Sequence, residues 1–124
     1  MSFSLIRLEL ARSPEFPDGA GNRGYEIKAP LTADGVLDES AWREAKENCT
    51  VRRFWQGEPD QEGQLIHTRH RTWAFSYEAG EEDDTPLFHL ESHKFVAGEY
   101  LSIHEQDGDT LTYRVVRVTP LKGL

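Results

Sequence analysis

The sequence predicts a mainly β domain, a small antiparallel β-barrel or rolled sandwich with one short helix around residues 38–47. Three observations predict it. Short runs of alternating apolar and polar residues recur along the chain, connections bearing Gly, Pro and Asp separate them, and no helix alternates with strands in the βα manner. At 124 residues the chain has the size of one domain with one core. Residues 1–124 are therefore read as a single barrel-like unit, with an irregular loop at about 13–24. A small antiparallel sheet must bury one face, and curling it round protects its edges.

The elements follow in order. "FSLIRLELAR", residues 3–12, alternates as a strand, with Ile6, Leu8 and Leu10 on one parity. "SPEFPDGAGNRG" holds two Pro and three Gly, the composition of an irregular connection. "YEIKAPL" resumes the alternation at Tyr25 and Ile27, and Pro30, which lacks an N–H, ends it or marks an edge. "LDESAWREAKEN" is the helix: Asp38 caps it, Glu39 sits in its first turn, and Ala41, Trp42 and Ala45 share a face. Leu37 and Trp42 have the spacing of a hydrophobic staple. So short a helix does not stand alone in water, so Trp42 is expected to dock it on the sheet as a lid over an open end.

"CTVRRFW" and "QLIHTRHRTWAFSY" are rich in β formers. With Arg69, His70 and Arg71 as the turn, His67 faces Trp73 and Leu65 faces Phe75, and the stripe Trp73, Phe75, Tyr77 reads as core. In "GEYLSIHEQDGDTLTYRVVRV" a three-residue loop, Gln106 to Gly108, places Gly108 at the left-handed position of a bulged turn. Leu101 then faces Tyr113 and Ile103 faces Leu111 on an apolar side, while Tyr100 faces Arg114, Ser102 faces Thr112 and His104 faces Thr110 on a polar one. A two-residue Asp-Gly turn would set Leu101 against Arg114, so the hydrophobic pattern rejects it. Val116 and Val118 fall on the parity opposite to Tyr113 and Val115, which predicts a bulge or a strand buried on both faces.

Composition narrows the function classes. The formal charge is −8, from 22 acidic and 14 basic residues, which argues against a general nucleic-acid binder. "EAGEEDDTPLFHLE" has six carboxylates and no Lys or Arg, and its first half reads as a solvated loop. No apolar run is long enough to span a bilayer and the amino terminus lacks a signal-peptide pattern, so the expected address is the cytoplasm, without membrane. The single Cys49 fits a reducing compartment and reads as a buried residue at a strand start. His67 and His70, and His89 and His93, come without a cysteine cluster or a further carboxylate at ligand spacing, so no metal site is assigned. No nucleophile elbow, phosphate-cradling glycine loop or paired zinc-binding histidine motif occurs, and no catalytic residue or cofactor is assigned.

The local concentrations of positive charge are "RRFW" and "TRHR". Arg52, Arg53, Trp55, Arg69, His70 and Arg71 are therefore the candidate ligand-binding surface, suited to a small anionic ligand or an unknown protein partner. The competing reading pairs these arginines with the acidic loop of the same molecule, in the stretch 78–91. An alternative function is a small-molecule- or cofactor-binding enzyme using the barrel mouth, with His67, His104 and Glu105 as acid/base groups.

From "YEIKAPLTADGVLDESAW" through "WAFSY" to "GEYLSIHEQDGDTLTYRVVRV" the chain resembles a family of small uncharacterised bacterial proteins. The resemblance implies one compact cytoplasmic domain and carries over no activity and no functional residue. "FVAGEYLSIHEQDG" also resembles the strand entry of flavin-binding reductase barrels, but "TYRVVRV" stands where their Arg-x-Tyr-Ser signature would follow, and no flavin is expected.

Overall fold

The alternation read in the sequence becomes one antiparallel sheet in the computed structural model, which describes residues 3–12, 16–17, 19–67, 73–76, 85–87, 95–104 and 110–121. Among these residues the strands are β1 (Phe3–Leu10), β2 (Ala20–Pro30), β3 (Thr50–Trp55), β4 (Glu58–His67), β5 (Trp73–Ser76), β6 (Thr85–Leu87), β7 (Tyr100–His104) and β8 (Thr110–Pro120), with one helix, α1 (Glu39–Glu44). Each strand pairs antiparallel with the next in the chain, and β8 pairs with β1. Among the described residues β6 and β7 are linked by the pair Leu87 and Ile103.

Period-two burial places the core on one face of this sheet. Ile6 and Leu8 of β1, Tyr25 and Ile27 of β2, Val51 of β3, Leu65 of β4, Ile103 of β7 and Tyr113 and Val115 of β8 are all fully buried. Tyr25 and Tyr113 meet edge to face, with ring centroids 5.2 Å apart. Both predicted hairpin registers hold. Leu101 faces Tyr113 and Ile103 faces Leu111, while Tyr100 faces Arg114 and His104 faces Thr110; Leu65 faces Phe75 and His67 faces Trp73. The turns themselves, residues 68–72 and 105–109, lie outside the described residues, as do Tyr77 and most of the acidic stretch.

The expected irregularity in β8 is a bulge. Arg7 pairs with Arg117 but Leu8 with Val115, which leaves Val116 as the extra residue. The bulge resets the parity, so that Val118 comes opposite the buried Ile6 on the core side.

Two boundaries differ from expectation. The helix ends at Glu44: Ala45 (φ −141, ψ 44) leaves helical geometry, and a separate 3-10 turn, Lys46–Asn48, leads to Cys49. This break turns the chain back into β3 while Ala41, Trp42 and Ala45 all stay buried. Asp38 caps the helix as expected, its carboxylate accepting from the Ala41 N–H at 3.1 Å. Trp42 docks it through an indole N–H donated to the Leu65 carbonyl at 2.8 Å. The irregular segment expected to run to residue 24 gives way to β2 at Ala20. Glycine here serves close strand approach: a Cβ on Gly24 would lie 1.9 Å from the Leu8 carbonyl oxygen. The register between β1 and β2 still jumps, from Glu9 opposite Gly24 to Leu10 opposite Ala20, so residues 21–23 bulge from that ladder.

Candidate functional site

Strand β3 carries the described half of the predicted surface, and its alternation splits it. Arg53 pairs with Tyr25 and Trp55 with Arg23, on the core-side parity at one end of the sheet; Arg52 pairs with Glu26 and faces solvent. Arg69, His70 and Arg71 lie outside the described residues. His67, the last described residue before them, is six positions along β4 from Gln61, the partner of Arg53, or roughly 20 Å of strand.

The solvent face around Arg52 is an ion network. The Arg52 guanidinium bonds Glu26 and, at 2.8 Å, Asp60; Arg7 bonds Glu9 at 2.8 Å and Glu26 at 3.4 Å. Glu26 is only 17% exposed, so two guanidiniums converge on a largely buried carboxylate. Its hydrogen bond holds Arg52 above the ordinary arginine value. Phe54 is buried on the same face, with Arg7 4.4 Å and Arg52 5.5 Å from its ring centre. Two guanidiniums meet three carboxylates in this network, so Arg52 is charge-matched within the chain by Glu26 of β2 and Asp60 of β4. An open cleft of about 370 Å³ lies beside it, lined by Arg7, Arg52, Phe54, Trp55, Gln56 and Asp60 among others.

At the end of the sheet the guanidiniums stack. Arg23 lies over Phe16 at 4.6 Å and Trp55 at 5.6 Å, and Arg53 lies over Trp55 at 4.4 Å. Arg53 also pairs with Glu58 at 3.1 Å. The Arg23 Nε is buried without a hydrogen-bond partner, and the two rings beside it supply the compensating contact.

A second cleft, of about 440 Å³, opens on the solvent face between β1, β8 and the start of β7, and its lining includes Glu9, Arg12, Gly19, Tyr100, Arg114 and Val116. Arg12 and Arg114 are exposed and form no ion pair among the described residues. Sequence reasoning placed Tyr100 opposite Arg114 but had no means of knowing that β1 lies on the other side of β8, with Glu9 opposite Arg114.

Cys49 is fully buried just before β3, its thiol donating to the Ala45 carbonyl at 3.4 Å. Burial, then the charge of Glu47, push its pKa up to about 11, against a smaller opposing pull from Lys28. Glu105 lies outside the described residues, and His67 and His104 are placed by backbone register alone. Among the described residues no three of His, Cys, Asp and Glu are grouped to hold a metal ion, and no helix is long and apolar enough to cross a membrane. Comparison with protein-family models, with curated proteins and with solved structures found no match to the chain.

Proposed function

We propose that this chain is a small β-barrel binding module that recognises an anionic partner, a small ligand or an acidic protein segment, on the solvent face of its wall. In this reading the ring of pairings from β1 to β8 closes the sheet, with the β6–β7 pair as its seam. The observation that carries the proposal is the pair of clefts on the solvent face, each lined by arginine and aromatic side chains. Among the described residues Tyr25, Tyr113, Leu65 and Ile103 are fully buried on the opposite, core side of the same strands.

Isothermal titration calorimetry with citrate, inorganic phosphate and a hexaglutamate peptide tests it. Saturable binding of at least one probe is expected at low ionic strength, weakening as salt is added. No binding of any of the three at low ionic strength overturns the proposal.

A further inference from the structure

The two clefts differ in electrostatics, and that difference selects one of them. Around Arg7 and Arg52 every guanidinium is already held by a carboxylate of the chain. In the cleft between β1 and β8 the two guanidiniums of Arg12 and Arg114 have no such partner among the described residues. The carboxylate they share the cleft with, Glu9, has Oε2 engaged by the Arg7 Nε at 2.8 Å.

We propose that this cleft binds a small anion bearing carboxylate or phosphate groups, with Arg12 and Arg114 as its two cationic contacts and the Tyr100 ring against its body. The proposal rests on the binding-module reading and names its site.

The backbone builds the cleft. Glu9, Arg114 and Tyr100 are direct neighbours across β1, β8 and β7, so they stand in a row on the solvent face. Arg12 follows the end of β1, where the Ala11 N–H still donates to the Thr112 carbonyl at 3.0 Å and fixes the chain beside β8. Gly19 closes the other side: its φ is +77, and a Cβ there would lie 2.9 Å from the Leu10 carbonyl oxygen and 3.8 Å from the Arg12 nitrogen. Val116, the extra residue of the bulge, is half-buried in the lining, and a bulge beside a site is a common way of re-aiming side chains. Tyr100, in the lining, is 55% exposed, an unusual degree for so large an aromatic among the described residues. A volume of about 440 Å³ suits a small molecule. Guanidiniums bind carboxylate and phosphate through paired N–H donors, and each such contact is stronger than a neutral hydrogen bond.

Calorimetric titration of the full chain and its variants decides the matter, with citrate and inorganic phosphate as separate arms to distinguish a carboxylate from a phosphate ligand. The expected result is that at least one arm binds the unmodified chain, that Arg114→Met and Arg12→Met each weaken it about tenfold or more, and that Arg43→Met on the helix leaves it unchanged. Circular dichroism and the melting temperature check that each variant is folded, and Arg114→Lys, which keeps the charge and loses the fork, is expected to fall between Arg114 and Met. Undiminished binding in folded Arg114→Met and Arg12→Met overturns the site; if Arg52→Met abolishes that same binding, the module reading survives and the other cleft is the site. Binding of hexaglutamate with neither citrate nor phosphate also overturns the site alone. Failure of all three probes removes both.

Discussion

At Trp42 one indole joins two elements twenty-three positions apart, the helix that carries it and the β4 carbonyl of Leu65. Trp42→Phe keeps most of the ring and removes the N–H, so a destabilisation of about 1–2 kcal/mol is expected. Trp42→Ala is expected to cost about 3–5 kcal/mol, because it also empties the space under α1. Urea midpoints at unchanged m value measure both. Cys49 gives a pH signature. Its pKa in the folded chain, about 11, lies above the ordinary 9.0, so both folded and unfolded states hold the proton below pH 9.0 and the contribution to stability is intact there. Between 9.0 and about 11 the unfolded chain ionises first, and stability falls. Other groups titrate in that range, so the quantity to measure is the stability difference between the native chain and Cys49→Ala, which is expected to shift against the native chain as pH rises through this window.

At the scale of elements, the β1–β2 ladder depends on a glycine for a reason opposite to flexibility. Gly24→Ala drives a Cβ into the Leu8 carbonyl and is expected to cost about 3 kcal/mol or more. Gly57→Ala makes the useful contrast: its φ of +86 is strained for alanine, but nothing lies within 4 Å, and about 1–2 kcal/mol is expected. Chemical denaturation of the two variants side by side separates a clash from a strained dihedral. The ladders also show which structure was legible in the sequence. The β7–β8 and β4–β5 registers were, since in each a short turn fixes the pairing and a one-residue slip would turn apolar side chains to water. The β2 start was not, because the glycines of "GAGNRG" carry the same letters whether they mark a loop or a close approach of strands. The helix was legible at its cap, where Asp38 acts locally, and not at its end, which is set by the turn back into β3.

Over the whole molecule, what escaped the sequence is the product of long-range pairing. Arg52 and Arg53 are adjacent in "RRFW", and strand alternation alone already sends them to opposite faces, a signal that was there to be used. Their partners, Glu26, Glu58 and Asp60, come from neighbouring strands, and the Arg12 and Arg114 cleft exists only because β8 returns beside β1. The same topology makes stability uneven. Strand β1 is paired along its length with β2 on one side and β8 on the other, while among the described residues β6 meets β7 at one residue pair. Hydrogen exchange is therefore expected to proceed in β6 before β1 and β2, with protection lower by about tenfold or more; equal protection around the sheet would contradict the seam.

Anion binding in the cleft between β1, β8 and the start of β7 is most directly tested by following backbone amide resonances while citrate, and separately inorganic phosphate, is added. The account predicts that shift changes gather at Leu10 to Arg12, Gly19 to Gly21, Tyr100 and Arg114 to Val116, while the amides of the core-facing Ile27, Val51 and Leu65 stay still. Changes centred on those core-facing positions, or none with either anion, would contradict it.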